Sequence, residues 1–164
     1  MNYFRVDKEN MVNGPGLRAV LWVAGCTHGC PECHNQETWD KCSGQLFDAE
    51  AKKELFDELD KDFISGVTLS GGDPLAPFNR DEITDLCKAI RKKYKNTKTI
   101  WCYTGFDYDQ VKDLEVMKYI DVLVDGEFKK NLKINDLNWR GSINQHVIDI
   151  PDTRKLGKMV LEYT

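Results

Sequence analysis

The sequence predicts an α/β fold in which short strands alternate with helices and form an open sheet. Two observations predict this class: short apolar runs alternate with amphipathic segments, and clusters of glycine, cysteine and polar residues follow the apolar runs. The chain has 164 residues, which suits one domain over residues 1–164 but falls short of the roughly 200 residues of a complete eight-fold β/α barrel. We therefore expect a single-domain, partial (open) β/α barrel with about five mostly parallel strands.

Five apolar runs are the predicted strands, and a turn at residues 13–16 precedes the first of them. This first run is almost continuously apolar, as in a strand that is buried on both faces. Pro151 is expected to end the last run, with a short tail after it. The runs are 17–23, 67–70, 99–103, 121–124 and 146–150.

Three segments are the predicted helices. Residues 80–94 have the clearest pattern, with apolar residues spaced by three and four along one face. A helix over residues 49–59 is expected to begin after Asp48, whose side chain can cap it. A weaker pattern predicts a third helix over residues 109–119.

Composition and charge exclude several classes of protein. The content of 41% hydrophobic and 30% charged residues is that of a globular protein, and the net charge of −4 argues against binding to nucleic acid. No apolar run approaches the roughly 20 residues of a transmembrane helix, and residues 1–9 lack the apolar core of a signal peptide. We expect a cytoplasmic protein with no membrane partner and with cysteines that are reduced or bind metal.

Three cysteines, Cys26, Cys30 and Cys33, form a C-x3-C-x2-C run directly after the first predicted strand. Three thiolates on one short loop can bind a single soft metal centre. A [4Fe-4S] cluster normally has four cysteine ligands, so three would leave one iron open to an exogenous ligand. The spacing therefore favours a catalytic iron–sulfur cluster.

Two other interpretations of these cysteines remain open. One is a structural zinc site with Cys42, His28 or His34 as the fourth ligand, and the other is a redox pair of Cys30 and Cys33. The remaining cysteines of the chain are expected to have no role at this centre: Cys87 lies on the apolar face of a predicted helix, and Cys102 lies in a predicted strand.

Several motifs in order over about residues 10–152 resemble one family. The cysteine run resembles the radical S-adenosylmethionine superfamily, and the segment Gly14-Pro15-Gly16-Leu17-Arg18 is similar to its glycyl-radical-enzyme activases. Within these, the sequence most resembles the activases of anaerobic ribonucleoside-triphosphate reductase. The other motifs that carry this resemblance are SGGDPL at 70–75, WCYTG at 101–105, VDGEF at 124–128 and WRGSINQ at 139–145.

The resemblance implies a fold and a chemistry. The fold would be a partial barrel of the radical S-adenosylmethionine type. S-adenosylmethionine would bind the open iron of the [4Fe-4S] cluster, and an electron from the cluster would cleave the sulfonium. The 5′-deoxyadenosyl radical would then take a hydrogen atom from a glycine of the partner. Because cofactors supply the difficult step, no catalytic side chain is expected beyond the cluster ligands.

The resemblance also implies partners. These are the glycyl radical subunit of anaerobic ribonucleoside-triphosphate reductase and an electron donor such as reduced flavodoxin. Two alternatives stay open: an activase of another glycyl radical enzyme, such as pyruvate formate-lyase, and a non-catalytic binding module that is stabilised by zinc.

Finally, the resemblance assigns residues to S-adenosylmethionine. Gly71, Gly72 and Asp73 are expected to hold its methionine amino group, since glycines let the backbone approach a ligand closely. Thr104 and Asp125 end the third and fourth predicted strands and are expected to bond the ribose or the methionyl group. Ordinary turn chemistry is the alternative at all these positions.

Residues around the third cysteine are expected near the adenine. Glu32 departs from the aromatic residue that often precedes this cysteine, so only backbone contacts are expected there, from Glu32 and Cys33. His34 follows the cysteine and is expected to contact the ligand. The alternative interpretation is that its side chain is simply solvated. Arg18 is expected to pair with an acid or to order the turn before the first strand.

Overall fold

The computed structural model describes residues 1–163, in which an eight-stranded sheet carries helices on one face. The strands are β1 (Asn2–Asn10), β2 (Leu17–Val23), β3 (Gln45–Leu46), β4 (Ile64–Gly71), β5 (Thr99–Tyr103), β6 (Val122–Val124), β7 (Val147–Asp149) and β8 (Leu161–Tyr163). The helices are α1 (Ala49–Leu59), α2 (Arg80–Tyr94), α3 (Tyr108–Val111) and α4 (Ile150–Leu156). Short 3-10 helices lie at Gln36–Thr38, Glu115–Lys118 and Lys130–Leu132.

The strand order is β3-β1-β2-β4-β5-β6-β7-β8, with β3 and β8 at the two edges. The pairings β2–β4, β4–β5 and β5–β6 are parallel. The pairings β1–β2, β1–β3, β6–β7 and β7–β8 are antiparallel. The predicted α/β class and open sheet are confirmed. The expectation of about five mostly parallel strands is wrong, because antiparallel strands extend the parallel centre on both sides.

The best-patterned elements form as predicted. The bounds of β2, α1, α2 and β5 are the predicted ones, and β4 extends beyond its predicted run to Ile64 and Gly71. Asp48 caps α1, since its side chain accepts a hydrogen bond from the Ala51 N–H group at 2.9 Å. These elements build the part of the sheet that carries the cysteine loop.

The predicted helix over residues 109–119 is wrong as one continuous helix. α3 ends at Val111, and Leu114 is extended, with ψ 141°, before the 3-10 helix at Glu115–Lys118 begins. Val116 and Met117 are both buried. The break rotates the second turn relative to the first, so that both of these adjacent side chains reach the core.

The predicted end of the last strand before Pro151 is confirmed, since β7 ends at Asp149, but the predicted tail is wrong, because a helix begins at Ile150. Asp149 caps α4 by accepting from the Asp152 N–H group at 2.7 Å, and Pro151 lies in the first turn. Proline is well tolerated there, since the N–H groups of the first turn have no partner within the helix. The segment after β7 therefore folds into α4 and the edge strand β8.

The strand β1 was not predicted, because its sequence lacks regular alternation. On β2, Val23 lies opposite Tyr3 and Trp22 lies opposite Arg5. Two residues along β1 thus correspond to one along β2, so the register shifts there. Such an irregularity interrupts the two-residue period that identifies a strand in sequence. β3 has only two residues, both exposed.

The two faces of the sheet have different coverings. One set of alternating residues, such as Leu21, Leu69 and Cys102, packs against the helices in the main core. The other set faces the opposite side, where a smaller cluster forms around Trp101 and Val124. The helices thus leave the second face available for a binding cavity.

Arg18 is fully buried on the second face. Its guanidinium donates to the Thr68 and Thr99 hydroxyls at 2.8 and 2.9 Å and to the Val67 carbonyl at 2.8 Å. A longer bond of 3.4 Å reaches the Pro15 carbonyl, so Arg18 orders the turn before β2. Hydroxyl and carbonyl oxygens satisfy this side chain in place of an acid, and burial lowers the pKa of Arg18 to about 10.

The two cysteines expected outside the centre are buried. Cys87 lies on the core side of α2 and Cys102 on the core side of β5. Burial raises the pKa of Cys87 to about 12 and raises that of Cys102 as well. Both are core thiols, as predicted.

Within residues 1–163, none of the helices has the length and apolar character that crossing a bilayer requires. The 15-residue helix α2 has charged residues in both its first and its last turn.

Candidate functional site

The segment that contains Cys26, Cys30 and Cys33, here called the cysteine loop, begins at the carboxyl end of β2. Backbone hydrogen bonds fix it on two sides. The Cys26 N–H group donates to the Trp39 carbonyl at 3.0 Å. The Asp73 N–H group donates to the Gly25 carbonyl at 2.7 Å, and the Gly72 N–H group donates to the Val23 carbonyl at 2.8 Å. The loop therefore lies against the segment after β4, at the strand ends where α/β sheets place their sites.

Gly71 and Gly72 make this contact possible. Gly71 has a φ of +102°, and a Cβ atom there would lie 2.5 Å from the Val23 carbonyl oxygen. A Cβ atom on Gly72 would lie 2.4 Å from the Gly25 carbonyl oxygen. Both glycines are thus needed to pack the two loops together, whatever they contribute to a ligand.

The three cysteines of the run are partly buried, and each sulfur atom has a backbone hydrogen-bond donor near it. Burial raises the pKa of Cys26, and hydrogen bonds from the His28 and Gly29 backbone oppose this. Burial and the charge of Glu127 raise the pKa of Cys30. The Cys33 Sγ atom accepts a hydrogen bond from the Asn35 N–H group at 3.4 Å.

This donor set fits an iron–sulfur cluster. Cysteine thiolates are the usual ligands of such clusters, and hydrogen bonds to the sulfur atoms tune them. Among residues 1–163, no three histidine, cysteine, aspartate or glutamate side chains converge closely enough to bind one metal ion. A cubane has no such requirement, since each cysteine binds a different iron. His28 also has no nitrogen left for zinc, because its Nε2 and Nδ1 atoms contact Asp73 and Glu127.

The Asp73 carboxylate is buried and is a centre of hydrogen bonding between loops. It accepts from the Leu75 N–H group at 2.8 Å, from the Gly105 N–H group at 3.0 Å and from the Thr104 hydroxyl at 2.9 and 3.0 Å. His28 Nε2 lies 2.8 Å from its Oδ2 atom. Asp73 thus joins the ends of β4 and β5 to the cysteine loop, and Thr104 directs its hydroxyl to Asp73.

Asp125 has a similar position after β6. Its Oδ1 atom accepts from the His146 N–H group at 2.9 Å and lies 2.9 Å from His146 Nδ1. Its Oδ2 atom accepts from the Tyr108 N–H group at 2.9 Å. These contacts place Asp125 in the framework of the site and join the ends of β6, β7 and α3.

A cavity of about 570 Å³ opens on the sheet face opposite the helices. Trp22, Ser70 and Tyr103, from three neighbouring parallel strands, form its floor, and Cys33 and His34 form part of its wall. Within residues 1–163, the other predicted ligand contacts do not line this cavity: Glu32, Gly71, Gly72, Asp73, Thr104 and Asp125. Glu32 instead is exposed and pairs with Lys130.

The far wall of the cavity comes from the segment after β6. The Tyr103 hydroxyl donates to the Trp139 carbonyl at 2.7 Å, and the Arg140 guanidinium donates to the Gln145 carbonyl at 2.5 Å. The Gln145 side chain accepts from the Gly141 N–H group at 2.8 Å and donates to the Gly126 carbonyl at 2.9 Å. The WRGSINQ motif thus forms a loop that brings Trp139 and Arg140 to the cavity.

Sequence reasoning missed His28, Tyr103 and Arg140 as parts of the site. His28 was considered only as a zinc ligand, although its place between two cysteines marked it. Its Nδ1 atom lies 2.9 Å from Glu127 Oε1, and the hydrogen bond to Asp73 is the main cause of its raised pKa. Tyr103 and Arg140 lie inside quoted motifs, but only the folded sheet shows that both face the cavity.

Comparison with known proteins agrees with this geometry. Residues 12–148 match the family model described as a 4Fe-4S single cluster domain. The anaerobic ribonucleoside-triphosphate reductase-activating protein of Enterobacteria phage T4 is 47% identical over 147 residues, covering 90% of this chain and 93% of that protein. The protein of the same name from Escherichia coli (strain K12) is 42% identical over 151 residues, covering 90% and 97%.

A third relative with this name, from Haemophilus influenzae (strain ATCC 51907 / DSM 11121 / KW20 / Rd), is 38% identical over 149 residues, covering 88% of this chain and 96% of that protein. The matches confirm the resemblance seen in the sequence motifs. The chain belongs to the family of anaerobic ribonucleoside-triphosphate reductase-activating proteins and contains a 4Fe-4S single cluster domain.

Proposed function

We propose that this chain is a radical S-adenosylmethionine activase that installs a glycyl radical on anaerobic ribonucleoside-triphosphate reductase. The observation that carries the proposal is the position of the three-cysteine loop at the carboxyl ends of the parallel strands, where Cys33 enters the wall of a large cavity. The names of the relatives support the choice of partner.

Cys26, Cys30 and Cys33 would each bind one iron of a [4Fe-4S] cluster. The cluster and S-adenosylmethionine together supply reductive cleavage of a sulfonium and a 5′-deoxyadenosyl radical that can abstract hydrogen. The role of the protein is to hold the two groups together and to exclude water. The Asn35 N–H group donates to the Cys33 Sγ atom, and hydrogen bonds of this kind tune an iron–sulfur cluster.

S-adenosylmethionine would occupy the cavity beside Cys33, between His34 and the floor of the sheet. Arg140 offers its guanidinium to the cavity, and among residues 1–163 its one hydrogen-bond acceptor is the Gln145 carbonyl. Arginine binds carboxylates well, so this side chain suits the methionyl carboxylate. Glu32, Gly71 and Gly72 do not line this cavity, so their backbone atoms would contact only a part of the ligand that extends beyond it toward the cysteines.

Asp73, Thr104 and Asp125 would act at the same ligand from behind the cavity wall. Their oxygens already bond to protein groups in the loops that surround the site. In this proposal, all three set the position of the loops. The Asp73 carboxylate already has four donors, so a contact with the ribose or the methionine amino group is left to Thr104 and Asp125, each of which has an oxygen lone pair that remains.

The fold supports a partial barrel of the radical S-adenosylmethionine type, formed as one domain over residues 1–164. The helices cover one face of the sheet and the cavity lies on the other, as in a barrel that is open along one side. The partner glycine would approach the open side. A reduced flavodoxin is the proposed electron donor, and a cytoplasmic location suits both partners.

The test is transfer of the radical to the glycyl radical subunit of the reductase under anaerobic, reducing conditions. Electron paramagnetic resonance is expected to show a glycyl radical with the wild-type chain and with Cys42→Ala, and none with Cys30→Ala. Cys42 is exposed outside the loop and is the matched control. A radical with Cys30→Ala would refute the ligand assignment, and none with the wild-type chain would refute the function. Stoichiometric zinc without iron or sulfide would indicate a binding module instead.

A further inference from the structure

His28 lies between two cysteines of the loop and joins carboxylates from two other loops. Its Nε2 atom is 2.8 Å from Asp73 Oδ2, in the segment after β4. Its Nδ1 atom is 2.9 Å from Glu127 Oε1, in the segment after β6. The side chain thus connects the cysteine loop to the ends of two central strands.

The imidazole ring is fixed by packing as well as by hydrogen bonds. The Phe106 ring lies edge-on to it, with the centroids 4.5 Å apart. A Cβ atom on Gly105 would lie 2.4 Å from the His28 ring, so glycine is needed there to admit the imidazole. Only 10% of the His28 side chain is exposed. A polar loop residue without a role would be solvated and would not require a glycine opposite its ring.

We propose that His28 is a positioning residue that fixes the cysteine loop through Asp73, so that Cys26 and Cys30 are held in place for the cluster. The proposal rests on the proposed function only in requiring the cluster. Loss of a group that orients metal ligands from behind typically costs about 10- to 100-fold in metal affinity.

The contacts of His28 with Asp73 and with Glu127 are expected to contribute unequally to holding the cysteine loop. The Asp73 side chain is 1% exposed and that of Glu127 is 48% exposed. Exposed ion pairs contribute little to stability. A buried carboxylate that loses a hydrogen-bond donor is left unsatisfied, which destabilises the folded protein. The bond from Nε2 to Asp73 is therefore the one that holds the loop.

Three variants separate the contacts. His28→Gln can place an amide near the Nε2 position and keep the bond to Asp73. His28→Asn reaches only the Nδ1 position and can keep the contact with Glu127. His28→Ala keeps neither. Glu127→Gln is the matched control at the exposed partner, since it keeps an acceptor and removes the charge.

The measurement is the rate of iron release to a chelator from the reconstituted, isolated protein, together with the resonance spectrum of the reduced cluster before and after addition of S-adenosylmethionine. Iron release is expected to be about tenfold faster in His28→Ala and His28→Asn, and close to wild type in His28→Gln and Glu127→Gln. The reduced-cluster spectrum is expected to broaden in the first pair only. Circular dichroism of each variant checks that it is folded.

Wild-type iron release in His28→Ala, or rescue by His28→Asn and not by His28→Gln, would overturn the proposal. If His28→Ala does not fold, the comparison of His28→Gln with His28→Asn still decides it. Radical transfer to the reductase is not part of this test. A failure of the proposed function would therefore appear as missing transfer by the wild-type protein, while the order of the iron-release rates would remain.

Discussion

The Thr104 hydroxyl donates to both carboxylate oxygens of Asp73, at 2.9 and 3.0 Å, and so joins the end of β5 to the loop after β4. Both side chains are buried. The same carboxylate receives His28 from the cysteine loop. The position of the loop therefore depends on groups that lie behind the cavity wall.

Thr104→Val removes this hydroxyl with little change of shape. Because Asp73 loses a donor and the Phe106 N–H group loses its acceptor, we expect a loss of about 1–3 kcal/mol in the free energy of unfolding, measured with urea. Thr97→Val, whose hydroxyl bonds to the Tyr94 carbonyl in an exposed turn, is the control and should lose less than about 1 kcal/mol. Equal losses for both variants would contradict the role assigned to Thr104.

Gly72→Ala would displace the loop after β4 from the cysteine loop. The new Cβ atom would meet the Gly25 carbonyl oxygen at 2.4 Å, and backbone atoms cannot move aside cheaply. We expect weaker binding of S-adenosylmethionine to the reconstituted protein in equilibrium titration. Gly157→Ala, at a left-handed position in open space at the end of α4, should cost some stability and leave this affinity unchanged. Unchanged affinity in Gly72→Ala would count against the contact between the loops.

Arg18→Met tests the buried guanidinium. The change leaves the Val67 carbonyl and the Thr99 hydroxyl short of a donor inside the fold, so we expect a loss of about 3 kcal/mol in the free energy of unfolding. The comparison is Arg5→Met, which breaks an exposed ion pair to Asp7 and should lose about 1 kcal/mol or less. If Arg18→Met loses as little free energy of unfolding as Arg5→Met, the hydrogen bonds of Arg18 to hydroxyl and carbonyl oxygens do not stabilise the fold.

Tyr103→Phe tests the far wall of the cavity. Without the hydroxyl, the Trp139 carbonyl loses its bond of 2.7 Å and the WRGSINQ loop is held less firmly. We expect reduced affinity for S-adenosylmethionine in the same titration, while iron content stays at the wild-type value, since no cysteine is touched. Loss of iron in this variant would contradict the claim that the cavity wall can change without affecting the cysteines that bind the cluster.

The elements with strong local signals could be predicted from sequence. β2 is apolar except for Arg18, α2 has a clear helical period, and Asp48 marks the start of α1. β1 could not be predicted, because its register shift removes the alternation. The break at Leu114 was hidden too, since it depends on which side chains the core accepts.

The cysteine run could be recognised because its three ligands lie together in sequence. The cavity could not, since its floor comes from Trp22, Ser70 and Tyr103 on three strands that only the parallel register brings side by side. The expected roles of Asp73 and Asp125 illustrate the same limit. Turn residues at strand ends were visible in the sequence, but their partners in other loops were not.

The central claim is that three cysteines leave one iron of the cluster open to S-adenosylmethionine. Electron–nuclear double resonance of the reduced holoprotein, with S-adenosylmethionine labelled with ¹⁵N at the amino group and ¹⁷O at the carboxylate, measures this directly. We predict hyperfine coupling of both labels to the cluster. Absence of both couplings, together with a signal from a fourth protein ligand at that iron, would contradict the account.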